Sequence, residues 1–422
     1  MSIDIGRRAA VTGALGTAAL AGAAARRARG AVAAAAAPIT IGTSLSLSGP
    51  LAVSGRAVLL TAQMFEADFN AKGGIGGRPI KLVYYDDQSN PSNAPQIYTK
   101  LLDIDKVDLL MSSGTNLTAP AMPVVMQHDR TLVAMFSLGI NDTFHYPRYF
   151  QTMPYGPNGR LAISQGFFGI AAGIKPGVKT IALVGADADF SKTALSGARE
   201  HAKKMGLKIV YDRTYPPSTV DFDPILHGIA AAAPDVVFVG SYPLDTVGMI
   251  RAAHELKLKT KLFGGSMVGT QIGSLKAQLG EALNGVVSYE LYIPAMAKFF
   301  PEVEPFLQRY RPLAVKAGVD PLGFYMPPFV YASLQVLTQA ATAAGLDQAK
   351  LAQELHNATF KTIVGDIKFG ADGEWAQERM VQAQFHGVKG HDAKQFLDPA
   401  IEAVLDPAAY RTGSLISPFN AA

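Results

Sequence analysis

The run Ile39-Thr-Ile-Gly-Thr-Ser-Leu-Ser-Leu-Ser48 is followed by Gly49-Pro50, a segment over 51–70, Gly73-Gly74-Ile75-Gly76-Gly77, and then Ile80-Lys-Leu-Val-Tyr-Tyr-Asp-Asp87. The first run is rich in Ile, Leu and β-branched residues and stops at Ser, Gly and Pro, the pattern of a buried strand ended by a turn. Val58, Leu59, Ala62, Phe65 and Phe69 recur at helical spacing, so one face of the middle segment is apolar. The glycines end that helix, and the second strand carries Asp86 and Asp87 at its carboxyl end. A strand, a helix and a strand joined by short loops form a right-handed parallel unit, whose ligands gather at the carboxyl ends of the strands. The hydroxyls of Ser44, Ser46, Ser48 and Ser54 are therefore expected beside a small polar ligand.

With 422 residues, 49% hydrophobic and 17% charged, the chain reads as a packed globular protein too long for one core, so two lobes are expected. Its net charge of +4 is local, because Arg7, Arg8, Arg26, Arg27 and Arg29 against Asp4 supply all of it before residue 38. The near-neutral remainder excludes a general basic face for nucleic acid. Residues 1–37 read as an export signal: Arg7-Arg8 precedes a small, weakly apolar run, and 31–37 offers A-x-A cleavage, placed between about 33 and 37. The paired arginines resemble a twin-arginine signal, departing from it at Gly6 and at Ala9-Ala10-Val11. Absence of cysteine removes disulfides, thiolate metal sites, cysteine nucleophiles and the acylated cysteine of a lipid anchor.

Beyond Asp87 strand and helix alternate. Helix 91–102, strand 107–113, helix 117–127 opened by Thr115-Asn116, and strands 131–136 and 149–153 lead to Pro154-Tyr155-Gly156-Pro157, the first lobe boundary. A second set follows, with helices over 158–172, 190–205, 222–233 and 246–256 and strands over 180–185, 208–213, 235–240 and 261–264. Two such sets predict an α/β protein of two doubly wound, Rossmann-like lobes. The tail differs: a strand over 286–292, helices over 301–317, 325–343 and 347–358, then strands 362–369 and 380–385 flanking a hairpin turn at 370–373. A tail of this kind returns to the first lobe and crosses again. It divides the chain into 38–155 with 287–379 and 156–286 with 380–422, joined by a multi-strand hinge.

Leu47-Ser48-Gly49-Pro50, Asn70-Ala71-Lys72-Gly73-Gly74-Ile75-Gly76-Gly77, Tyr85-Asp86-Asp87, Pro234-Asp235-Val236-Val237 and Gly365-Asp366-Ile367-Lys368-Phe369 carry a resemblance in their order and spacing. Over residues 39–410 the chain resembles the periplasmic binding proteins of the branched-chain amino acid type that feed ABC importers. The resemblance implies the type I periplasmic binding fold, closing over one small-molecule solute without chemistry on it. It further implies a monomer free in the periplasm, with no cofactor and no metal, that serves an inner-membrane ABC permease.

The resemblance also places a pocket. The carboxylate-holding loop falls on Ser113, Gly114, Thr115 and Asn116, and the loop after the fourth strand on Ser137 to Gly139. Second-lobe aromatic contacts fall on Phe190 and Tyr242, an apolar contact on Tyr325 and Met326, and Ser54 replaces the aromatic of the first loop. Amino-acid-binding members hold the α-ammonium with an acidic residue where this chain has Ser266-Met267. A buried ammonium without a carboxylate is strongly disfavoured, so an organic acid, an aromatic acid or a neutral amide-like solute is expected rather than a free amino acid.

The same residues have plainer readings. Thr115 and Asn116 suit helix caps, Phe190 and Tyr242 suit core or rim aromatics, and Asp86-Asp87 reads as a solvated strand-end pair. The glycines at 73–77 follow a helix and precede a strand, the reverse of a phosphate cradle. The eight histidines show no metal spacing, no G-x-S-x-G elbow occurs, and no G-x-G-x-x-G follows the first strand. Catalytic residues are therefore not expected. A ligand sensor for a membrane receptor, with an identical pocket, is the alternative to transport, and an exported α/β enzyme a more distant one.

Overall fold

The computed structural model describes residues 37–421, so the expected export signal lies outside the described residues. The first lobe begins with β1 (Ile39–Leu45), α1 (Ala52–Ala71), β2 (Ile80–Asp86), α2 (Ala94–Thr99), β3 (Leu109–Ser113), α3 (Thr115–Gln127), β4 (Leu132–Met135), α4 (Asn141–Phe144) and β5 (Tyr149–Gln151). Its five strands are parallel in the order β2-β1-β3-β4-β5. Helices cover both faces, which is why the strands read as apolar runs. Leu109 and Met111 face one core while Leu110, Leu132 and Ala134 face the other, as alternation along a strand requires.

The second lobe continues with α5 (Gly159–Gly173), β6 (Thr180–Ala186), α6 (Asp189–Lys204), β7 (Lys208–Tyr215), α7 (Asp223–Ala232), β8 (Val236–Ser241), α8 (Pro243–Glu255), β9 (Leu262–Met267), α9 (Gly273–Leu279) and β10 (Val286–Glu290). Then come α10 (Val303–Ala317), α11 (Pro327–Ala344), α12 (Gln348–Asn357), β11 (Phe360–Thr362), β12 (Gly365–Ile367), β13 (Val381–Phe385) and β14 (Glu402–Asp406). The second sheet runs β14-β13-β10-β9-β8-β6-β7, with β13 and β14 antiparallel at one edge.

Helices α10 to α12 fold back onto the first lobe. The Arg309 guanidinium meets the Asp68 carboxylate at 2.6 Å, the Phe65 and Tyr331 rings pack edge to face at 4.9 Å, and the Thr131 N–H donates to Gln348 Oε1 at 2.9 Å. The chain thus passes between lobes three times: after β5, after β10, and between β12 and β13.

Three expectations need correction. Strand β10 pairs with β9, so the crossing follows Glu290 instead of residue 286. The hairpin pairs β11 with β12 around Ile363 and Val364, while β13 belongs to the other lobe, because Val381 to Phe385 finds β10 as its partner. Strand β14 was missed altogether.

Both sheets reverse their strand order once, between β1 and β3 in the first lobe and between β6 and β8 in the second. Crevices open outside the carboxyl ends of the strands at such points.

Candidate functional site

One chamber is lined from both lobes at these points. The first lobe contributes Ser46, Ser54 and Val58 after β1, Ser113 to Asn116 after β3, Phe136 after β4 and Tyr155 after β5. The second contributes Phe190 after β6, Tyr242 and Pro243 after β8, and Val268 after β9, while Tyr325 and Met326 close it ahead of α11.

The polar end is built by α3. Gly114 turns the chain at φ 86°, a conformation that suits glycine, and the 13-residue helix starts at Thr115 with no side-chain cap. Its first backbone N–H groups are left for a guest, with the helix dipole favouring negative charge there. The hydroxyls of Ser54 and Ser113 line the same chamber and make no hydrogen bond among the described residues. The Thr115 hydroxyl is already used: it accepts from the Leu138 N–H at 2.9 Å and so ties two loops together.

The walls are aromatic. Phe136 has φ 53°, which a bulky side chain rarely adopts, and its ring meets that of Tyr325 edge to face at 5.1 Å. Among the described residues lining the chamber there is no Asp, Glu, Lys, Arg or His.

Asn116 and Tyr242 join the lobes. The Tyr242 hydroxyl donates to Asn116 Oδ1 at 2.7 Å, and the Phe190 N–H points at both Asn116 Oδ1 (3.3 Å) and the Tyr242 hydroxyl oxygen (3.2 Å). This contact separates an inner cavity of about 80 Å³ from an outer cleft of about 670 Å³. Asp187, Asp189, Lys192 and Asp245 border the outer cleft. Burial pushes the Asp245 carboxyl up to about 6, although the Tyr215 hydroxyl donates to it at 2.6 Å.

The structure brings together Ser54, Ser113, Gly114, Thr115, Asn116, Phe190, Tyr242, Tyr325 and Met326. Ser137, Gly139, Ser266 and Met267, expected with them, are not in the lining. Ser137 is buried behind its loop with Oγ 2.7 Å from Thr118 Oγ1, and Ser266 donates to the Ile163 carbonyl at 3.1 Å. Met267 is wholly buried, and Gly139 turns against Thr193 and Asp142. The end of β9 presents Val268 instead.

Two further corrections concern the first strand. Ser44 and Ser46 donate to Asp87 at 2.8 and 2.7 Å, and Ser48 donates to Asp86 at 2.6 Å. Asp87 is completely buried and acts as the acceptor that fixes this loop, so it is not a solvated residue. Sequence reasoning missed Phe136 and Tyr155 as wall residues. Phe136 ends the fourth predicted strand, and Tyr155 lies in a segment read only as a boundary.

Among the described residues no cluster of three or more His, Asp or Glu could hold a metal, and no helix is long and apolar enough to cross a membrane. The sequence pattern of the family described as periplasmic binding protein matches residues 38–391. The chain belongs to that family, and it is a non-enzymatic solute-binding protein of the ABC-transporter type. It is 24% identical over 347 residues to an amino acid binding protein of Pseudomonas aeruginosa, covering 80% of this chain and 87% of that one. A leucine binding protein from Thermotoga maritima superposes with a TM-score of 0.71 at 19% identity, covering 84% of this chain and 96% of that one. A solute binding protein from Rhodopseudomonas palustris, solved with p-hydroxybenzoic acid, superposes at 0.72 and 19% identity, covering 84% and 94%.

Proposed function

We propose that this protein captures a small organic acid, with an aromatic acid as the best fit, between its lobes and presents it to an inner-membrane permease. One observation carries the reading: the uncapped start of α3 and the unspent Ser54 and Ser113 hydroxyls converge on a chamber whose lining holds no acidic group. Backbone N–H groups and hydroxyls can hold a carboxylate. An α-ammonium brought into the same space would have no counter-charge. A neutral amide-like solute would satisfy the donors less well, because hydrogen bonds to a charged acceptor are the stronger ones. The fold itself does not choose, since one of the similar structures is a leucine binding protein and another was solved with an aromatic acid.

The inner cavity of about 80 Å³ is smaller than the ~150 Å³ that holds a benzene ring. A ring-sized guest therefore needs the lobes further apart than they stand here, and its contacts with both lobes then draw them together around it. Titration calorimetry tests the reading. Benzoate and related carboxylates should bind, leucine and valine should not, and Ser113→Ala should weaken the acids by about 1–2 kcal/mol. Tight leucine or valine binding with none for the acids would overturn it. We further infer export with removal of the first 33–37 residues, which the mass of the chain in a periplasmic fraction would check.

A further inference from the structure

The wall that faces the aromatic end of the chamber is not purely apolar. Tyr155 and Tyr325 both line it and are only 2% and 6% exposed. Tyr155 follows β5, two strands along the sheet from the β3 end that carries Ser113 to Asn116, a separation of about 10 Å at the ordinary strand spacing. Phe136, after the intervening β4, stands between them with its ring on Tyr325.

The hydroxyls on this wall have protons to spare. Those of Tyr289 and Tyr325 lie 3.2 Å apart, so one donates to the other. Two O–H groups in one contact leave a proton without an acceptor among the described residues. The Tyr155 hydroxyl makes no hydrogen bond among the described residues either, and unlike the orphaned hydroxyls of Tyr292 and Tyr310 it is not sealed away from open space. Burial holds the Tyr155 and Tyr325 phenols well above their usual range, so both stay protonated. A buried donor without an acceptor is costly, and chamber walls of phenylalanine would have avoided that cost.

We infer that Tyr155 and Tyr325 are specificity-determining residues that read an oxygen on the guest opposite its carboxylate, and that the solute is a ring acid bearing a hydroxyl there. The inference rests on the acid-binding reading above. A hydroxyl fits better than a carbonyl for a reason internal to the tyrosine pair. When Tyr289 donates to Tyr325, the Tyr325 proton is free to donate to the guest. When Tyr325 donates to Tyr289, only a lone pair of Tyr325 faces the guest, which then must donate. A hydroxyl serves both arrangements, whereas a carbonyl serves one.

Three probes of similar shape test this by calorimetry: benzoate, 4-methylbenzoate and 4-hydroxybenzoate. The unmodified protein should bind 4-hydroxybenzoate at least about fivefold more tightly than 4-methylbenzoate. Tyr155→Phe and Tyr325→Phe keep the rings, and each should cut that preference several-fold. Binding of 4-methylbenzoate as tight as or tighter than 4-hydroxybenzoate in the unmodified protein would overturn the inference and leave the acid site standing. Binding of leucine with none of the three acids would remove the acid-binding reading itself, and the inference with it.

Discussion

Gly55 lies inside α1, where alanine is ordinarily the better residue by about 1 kcal/mol. Here a Cβ would stand 1.9 Å from the Ser46 carbonyl oxygen, so helix and loop touch backbone to backbone. Gly55→Ala is expected to lower stability by about 1–3 kcal/mol and to weaken guest binding, because Ser46 is part of the chamber wall. Urea unfolding and calorimetry on the same variant read both effects, and a variant as stable as the parent would refute the close approach. Nothing in the sequence separates Gly55 from a tolerated helical glycine, since the contact is tertiary. The same limit explains the serines. Their hydroxyls were legible as a polar strand end, but their capture by Asp86 and Asp87 depends on how β1 and β2 align. Ser113 to Asn116 were singled out by the resemblance to the periplasmic binding proteins, and a strand end followed directly by a helix start supplies backbone N–H groups that suit an anion there.

Strand β14 shows what defeats the reading of elements. Strands β3 and β8 announce themselves as the buried runs Leu109-Leu-Met-Ser-Ser113 and Val236-Val-Phe-Val-Gly-Ser241, while Glu402-Ala-Val-Leu-Asp406 begins and ends with a charge. The burial of Glu402 is possible only because α9 supplies Lys276, whose fully buried ammonium donates to it, with the Phe385 and Phe396 rings 5.2 and 5.6 Å away. Burial opposes the charge on Lys276, but Glu402 and Glu290 outweigh it and hold the lysine as a cation. Burial pushes the Glu290 carboxyl above the usual carboxylate range, and the Lys276 ammonium beside it works against that shift. Lys276→Met should cost about 3–5 kcal/mol in equilibrium unfolding, and pairing it with Glu402→Leu should recover most of that loss. The loss in the single variant should shrink as pH falls, because protonating Glu402 removes the orphaned charge. A double variant no more stable than the single one would show that the pair contributes more than mutual compensation.

At the scale of the molecule, two βα sets in the sequence were enough to give two lobes, since each set can bury its apolar strands only between its own helices. The pairing of β13 and β14 was beyond reach, because sequence order does not say which sheet a returning strand joins. Three crossings between the lobes form a hinge, and the hydrogen bond from Tyr242 to Asn116 is a further contact between them. Small-angle scattering should therefore record a smaller radius of gyration when a bound acid is added. Asn116→Ala should weaken binding by about 1 kcal/mol and reduce the compaction at sub-saturating acid. An unchanged radius in the presence of saturating acid would rule out closure.

The chamber lining without a carboxylate, amine or imidazole has a consequence for the setting in which such a protein works. Its grip depends on fixed dipoles, which neither gain nor lose protons as the surrounding medium turns sour or alkaline. On the acid-binding reading, acidification would loosen the hold of the chamber once the cargo itself was neutralised, so the cargo's own ionisation sets the limit of capture there.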